Sequence, residues 1–216
     1  MPETVSLVPK LFLLSGVIGP LLFLVVLLLE GAVRSGYDPQ RFFGSELALG
    51  KRGWVQITNF ILAGRLIFAS GFGIAQVLPG SWWGTVFLGL FGLSLIVAGV
   101  FVTDPVLYFP PEAKAKGPTR HGKIHGANFP VCFGSLIVTT LVFSGLFFAT
   151  GNVAWALYSL CSGLAFIMFT GMMLGAVARA LQGKAEASVG LWQRAAIATG
   201  WIWIAALNAY LLWQIW

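Results

Sequence analysis

Charged side chains are scarce in this sequence. They make up 9% of its 216 residues, where a soluble domain carries about 25%. So few charges exclude a water-soluble fold of this size, because they could not cover its surface. Cysteine is scarce as well. Cys132 and Cys161 are the only two, both fall inside apolar runs, and neither has a second ligand at metal-binding spacing. They read as small buried apolar side chains and leave the redox compartment open. Acids number 7 against 13 bases, for a formal net charge of +6. In a soluble chain that excess would suggest nucleic acid. Here the bases sit in short loops between apolar runs, so membrane topology accounts for them and no nucleic-acid partner is expected.

What is abundant is hydrophobic residues, 58% of the chain, with a mean hydropathy of +0.87. A bilayer core needs about 20 apolar residues per helix. Six runs qualify, at about 11–29, 57–78, 85–102, 129–149, 153–178 and 195–215. The expected fold is therefore all-α, a polytopic bundle of six transmembrane helices forming one domain over 1–216. The first run follows Lys10 and is longer than a signal-peptide core. No A-x-A site follows it, so it is kept as a span. A β-barrel is disfavoured because the runs are continuously apolar rather than alternating. Spans two and three are joined through Pro79-Gly80, and spans four and five by little more than Gly151-Asn152, so each pair should be antiparallel neighbours.

The long connections are the odd-numbered ones, and they hold the charge. Arg34, Arg41, Lys51 and Arg52 lie in loop one, and Lys114, Lys116, Arg120 and Lys123 in loop three. Arg179, Lys184 and Arg194 lie in or beside loop five, which brings the total to eleven of the thirteen bases. The positive-inside rule places these loops in the cytoplasm and both termini outside, in the plasma membrane. Aromatic belts are expected at Trp82, Trp83, Trp155, Trp213 and Trp216 on the outer side, and at Tyr37, Trp54, Tyr108 and Trp192 on the inner. Paired glycines (Gly71 and Gly73, Gly89 and Gly92, Gly171 and Gly175) should allow close helix packing.

The acids follow the bases. Glu30, Asp38 and Glu46 belong to loop one, Asp104 and Glu112 to loop three, and Glu186 to loop five; Glu3 alone lies elsewhere. His121 and His125, the only histidines, are in loop three. Packed helices would bring these loops together, so a polar pocket opening to the cytoplasm is expected. If the fourth helix begins early, His121 and His125 share a face one turn apart. That spacing suits an acid and a base near neutral pH, or a metal with Asp104 or Glu46 as third ligand. It also suits an ordinary interfacial helix start. Glu30 and Arg34 are four apart and can pair. Asp104 closes the third span in Thr-Asp-Pro, where the proline turns the chain at the membrane surface.

Arg65 lies near the bilayer centre, where arginine costs at least about 2.5 kcal/mol. It is expected to face the bundle, near Thr58 and Gln76. Its partners there would be helix carbonyls, water, Asp104, or the phosphate or carboxylate of an anionic ligand. Arg194, Trp201 and Asn208 fall at seven-residue spacing on one stripe of the sixth span.

The chain resembles the bacterial and archaeal six-helix membrane proteins of domain-of-unknown-function family 998. The likeness is carried by Glu30 with Arg34-Ser-Gly-Tyr-Asp-Pro39, Ser45-Glu46-Leu47, Gly53-Trp54 and Asn59-Phe60. It continues through Gly99-Val-Phe-Val-Thr-Asp104-Pro, Pro110, His121 to His125, Gly190-Leu-Trp-Gln-Arg194 and Trp203. A more distant likeness is to the eukaryotic Frag1/DRAM/Sfk1 membrane proteins. The resemblance implies the six-helix fold and a role for the named loop residues. It implies no activity, and Arg65 is outside its pattern.

The leading functional expectation is an acid–base enzyme acting on a lipid or isoprenoid. Glu46, Asp104, His121 and His125 are its candidate catalytic groups. Arg65, Arg194, Asp38, Asn59 and Trp201 are candidate substrate contacts, with an anionic lipid or isoprenoid as ligand. The alternatives are a non-catalytic lipid- or partner-binding protein, a metal-dependent hydrolase using His121, His125 and Asp104, and a small transporter. No cofactor and no oligomeric state is specified by the sequence.

Overall fold

The computed structural model describes residues 6–107, 109–110, 117–183 and 188–216. The positions read above at Glu3, Tyr108, Glu112, Lys114, Lys116, Lys184 and Glu186 lie outside the described residues.

Six long helices account for most of the chain: α1 (Leu7–Val33), α2 (Gly53–Val77), α3 (Trp82–Val100), α4 (Arg120–Ala149), α5 (Val153–Leu181) and α6 (Val189–Gln214). Each is long and apolar enough to cross a membrane, with best windows of mean hydropathy 1.6 to 2.8. The shortest, α3, has 19 residues, about 28 Å at 1.5 Å per residue, close to the hydrocarbon thickness. No strand is present among the described residues. The helices run past the apolar cores at the charged face. Helix α4 begins at Arg120, nine residues before its apolar run, and α6 at Val189 rather than 195. Backbone hydrogen bonding continues into the polar zone because an interrupted helix would leave amides unpaired near lipid.

Each helix packs on its chain neighbours, and α6 packs back on α1, closing a ring. The two short connections turn at Gly80 (φ 80°) and Gly151 (φ 78°), in the left-handed region that favours glycine. Close approach of helices rests on particular glycines. A Cβ on Gly64 would lie 2.6 Å from the Gly92 carbonyl oxygen, and one on Gly73 2.9 Å from the Leu13 nitrogen. The expected packing role therefore holds for Gly73 and Gly92. It does not hold for Gly171, which has open space, or Gly175, which faces only the Arg179 side chain at 3.8 Å.

Lipid relaxes the usual sorting of side chains. Leucine, valine and tryptophan side chains stand exposed along the outer faces, while many buried positions are serine or threonine. Trp54, Trp82, Trp83, Trp213 and Trp216 are all exposed and fit interfacial belts. Tyr37 does not. It is buried against Phe42 and Phe109, because its hydroxyl is needed inside loop one. Cys132 is buried as expected, but Cys161 is exposed on α5. A thiol is apolar enough to face lipid.

Candidate functional site

Loop one is the framework of the charged face. A short 3-10 turn, η1 (Gly44–Ala48), packs between α1, α2 and α6. Five side chains hold the loop: Glu30, Arg34, Arg52, Arg194 and Tyr37. Glu30 is buried and pairs with Arg34 at 3.0 Å, and also with Arg52, so the expected i,i+4 pair is formed. Arg34 also donates to the Leu47 and Leu49 carbonyls at 3.0 and 3.1 Å. Arg194 donates to the carbonyls of Pro39 (2.6 Å), Phe42 (3.2 Å) and Gly190 (3.1 Å), and to the Tyr37 hydroxyl (2.6 Å). A Cβ on Gly190 would meet the Phe42 oxygen at 2.3 Å, so glycine there lets α6 reach the loop.

Glu46 is fully buried. One carboxylate oxygen accepts from the Phe43 amide at 3.0 Å, and the other from the Val106 and Leu107 amides at 2.9 Å each. Burial pushes its pKa above the usual carboxylate range, against the opposing pull of those three amides. Its acceptor capacity is spent on joining loop one to loop three. Tyr37 is likewise pushed up by burial, with the Arg194 guanidinium opposing, so the phenol stays neutral.

Asp104 accepts from the Thr119 amide (2.9 Å) and hydroxyl (2.7 Å). Thr119 in turn caps α4 by accepting from the Gly122 amide at 3.0 Å. A Cβ on Gly122 would fall 2.0 Å from Asp104 Oδ2. The carboxylate thus ties the end of α3 to the start of α4. His121 and His125 do share one side of α4. His121 is exposed and packs on the Phe101 ring at 5.4 Å. His125 directs Nδ1 at the Phe101 carbonyl oxygen, 2.8 Å away. A carbonyl only accepts, so Nδ1 carries a proton; in a neutral ring Nε2 is then the acceptor. No three His, Cys, Asp or Glu side chains converge as a metal-ligand set among the described residues.

Beneath loops one and three the helices line a half-open cavity of about 230 Å³. Voids in packed interiors seldom exceed a water molecule. Its walls come from α1 (Phe23, Leu27), the η1 turn (Gly44, Ser45), α2 (Gln56, Phe60), α3 (Leu95, Ala98), loop three (Thr103, Val106), α4 (His125, Asn128, Cys132) and α6 (Gln193, Trp201). The expected pocket is polar, but this one is mostly apolar, because the acids and arginines of the face bond to loop backbone and not to its interior. Gln193 accepts from the Gly44 amide at 2.7 Å, which sets its level at loop one. Trp201 is eight residues deeper, about 12 Å at 1.5 Å per residue. The cavity therefore runs from the loops toward the membrane middle.

His125 and Trp201 are the two proposed site residues that line this cavity. Asn59 stands behind the wall, donating to the Phe23 carbonyl (3.1 Å) and to Gln56 Oε1 (3.3 Å). Asp38 is exposed and accepts from the Gln40 amide at 2.8 Å. Glu46, Asp104, His121 and Arg194 do not line it. Arg65 is the clearest departure from expectation. It is exposed on the outer face of α2 together with Thr58 and Gln76. The inner faces of α2 are committed to contacts such as Gly64 with Gly92, which leave no room for a guanidinium.

Gln56, Asn128 and Gln193 are cavity residues that sequence reasoning passed over. A signal was there for two of them. Gln56 lies one turn before Asn59 in an apolar span, and Gln193 adjoins Arg194. Among buried side-chain atoms with no protein partner, those belonging to cavity-lining residues are Gln56 Nε2 and Trp201 Nε1.

No curated protein and no solved structure matches this chain, and no match stands behind the Frag1/DRAM/Sfk1 likeness. A family described as protein of unknown function (DUF998) matches residues 17–210. That range runs from within α1 to within α6 and takes in both loops and the cavity, so the chain belongs to the DUF998 family.

Proposed function

We propose that this protein binds the chain of a lipid or isoprenoid in the cavity beneath loops one and three. One observation carries the reading. An apolar space of about 230 Å³ runs inward from the charged face, lined by residues of five helices and both loops with no Asp, Glu, Lys or Arg among them. An apolar pocket with a few polar groups is the usual form of a small-molecule site. The bias of basic residues toward the odd-numbered loops supports a cytoplasmic position for that face, with both termini outside and the plasma membrane as host. The ligand would then enter from the inner leaflet.

His125 favours a second reading, an acid–base enzyme acting on the same ligand. His125 lines the cavity, and with Nδ1 donating to the Phe101 carbonyl a neutral ring keeps Nε2 as its acceptor, so it could take a proton from a bound substrate. Glu46 and Asp104 already bond backbone amides and do not line the cavity. Ligand binding is therefore the reading the geometry supports first, with catalysis as an extension through His125.

The deciding experiment is purification in a mild detergent followed by mass spectrometry of extracted lipids, alongside an Ala98→Phe variant that fills the cavity. A single lipid species near one per protein, lost from the filled variant, is the expected result. The same lipids in the same amounts from both proteins would end the reading.

A further inference from the structure

Helix α2 has 25 residues and Arg65 is the thirteenth, about 18 Å from either end at 1.5 Å per residue. Its side chain is exposed, so a permanent cation faces the hydrocarbon at mid-span. The other exposed charges on helices, Arg120, Lys123 and Arg179, lie within a turn of an end, where a long side chain reaches the headgroups. A charge deep in a membrane is costly and is normally paired with an opposite one. The chain itself supplies no such partner. The acids among the described residues are Glu30, Asp38, Glu46 and Asp104, all at the charged face. The ion pairs among the described residues join Glu30 to Arg34 and to Arg52.

Arg65 belongs to a stripe. Thr58, Leu62, Arg65, Ala69, Phe72 and Gln76 follow one another at steps of three and four, which keeps them on one face of α2. All are exposed except Ala69, which is half-buried. Helices α1 and α3 flank this face, held to α2 by the close contacts of Gly73 with Leu13 and of Gly64 with Gly92. Their own exposed mid-span positions are aliphatic: Leu14, Ile18 and Leu21 on α1, Val86, Leu90 and Leu93 on α3. Polar groups are thus gathered on the α2 stripe. Gln76 donates to the Phe72 carbonyl of its own helix at 3.0 Å, which leaves Arg65 as the group that calls for an outside partner.

We infer that this stripe docks a transmembrane helix of another protein, one that carries an Asp or Glu at the depth of Arg65. Charge complementarity selects that occupant. A second copy, related by a two-fold axis along the membrane normal, would set Arg65 against Arg65 at one depth, and like charges repel most where the dielectric is low. A lipid phosphate lies at headgroup level, far from mid-span. A carboxylate on a neighbouring helix meets the guanidinium fork where it stands. The surface is separate from the cavity, which α2 lines through the buried Gln56 and Phe60.

The test uses the full chain in phosphatidylcholine vesicles at mildly alkaline pH, with three synthetic leucine-alanine helices of spanning length. They differ only in the central residue, which is Glu, Gln or Lys. Förster transfer from labelled chain to labelled helix reads binding. The Glu helix should bind about tenfold more tightly than the Gln helix, the scale of a charge-assisted pair, and the Lys helix least. Arg65→Leu should abolish the preference for Glu at an unchanged unfolding temperature, and Arg65→Glu should transfer it to the Lys helix. If the reversed variant does not insert, Arg65→Leu decides alone. Equal binding of the Glu and Gln helices, or a Glu preference that survives Arg65→Leu, overturns the inference. Transfer between two labelled copies that Arg65→Leu abolishes also overturns it and makes the occupant a second copy. Phosphatidylglycerol retained by wild type in native mass spectrometry, and lost from Arg65→Leu, overturns it in favour of a lipid.

Discussion

Tyr37 and Arg194 are 157 positions apart in the sequence, yet the guanidinium donates to the phenol oxygen at 2.6 Å and lies over the ring, 5.5 Å from its centroid. The phenol passes the contact on by donating to the Phe43 carbonyl at 2.9 Å. Loop one is thus locked to the start of α6, and its η1 turn roofs the cavity. Arg194→Ala should strand the Pro39 and Phe42 carbonyls and lower stability by about 2 kcal/mol, the scale of one charge-assisted hydrogen bond. Arg194→Lys should recover only part, because an ammonium cannot reproduce the fork. Thermal unfolding in detergent reads both changes, and an alanine variant as stable as wild type would show that the lock is unnecessary.

Glu46 sets a pH dependence whose sign follows from its burial. Its pKa is raised in the folded protein from an ordinary value of 4.5. Between that value and the raised one, the folded state binds more proton than the unfolded state, so stability falls as pH rises. The contribution is complete below about 4.5 and is lost as pH passes through the folded value. The unfolding temperature of wild type minus that of Glu46→Gln should therefore move against wild type between pH 4 and the neutral range. A difference that is flat, or that grows with pH, would show that the three backbone amides outweigh burial.

Arg65 carries a prediction of the opposite kind. It is the middle residue of α2 and faces outward. On insertion scales an arginine at a helix centre opposes membrane entry by about 2.5 to 3.5 kcal/mol. Arg65→Leu should insert the second span more efficiently in a glycosylation-reporter assay and leave lipid retention unchanged. Loss of the copurifying lipid in this variant would return Arg65 to the list of ligand contacts.

The six helices were legible because an apolar run of about 20 residues has few other solutions in lipid. The pair of Glu30 with Arg34 was legible for a similar reason, since spacing along one helix fixes proximity. Which way Arg65 points was not legible. Composition says that a buried charge is costly, but only the tight meeting of Gly64 with Gly92 shows that the inner face was closed to it. The place of Gln56 on the cavity wall was hidden as well, because α2 and α6 are brought to one cavity by ring closure of α6 on α1. Glu46 looked like a free acid in sequence. The amides that occupy it come 60 and 61 residues later, from a loop with no periodic pattern to place it.

Asp104 offers a direct separation of scaffold from chemistry. Its contacts with Thr119 place a negative charge at the N-terminus of α4, where free amides and the helix dipole favour it. Asp104→Asn keeps one acceptor oxygen but loses the charge, and Asp104→Ala loses both. Stability should fall in that order, by about 0.5 to 2 kcal/mol for the alanine variant, as for other helix caps. Amide hydrogen exchange should quicken at residues 119–123 and stay unchanged in α1, α2 and α6. Lipid retention should persist in both variants, since Asp104 does not line the cavity. If the asparagine variant kept wild-type exchange at α4 but lost a lipid-modifying activity, the carboxylate would be chemical and not structural. Loop three would then have to open for Asp104 to reach a substrate.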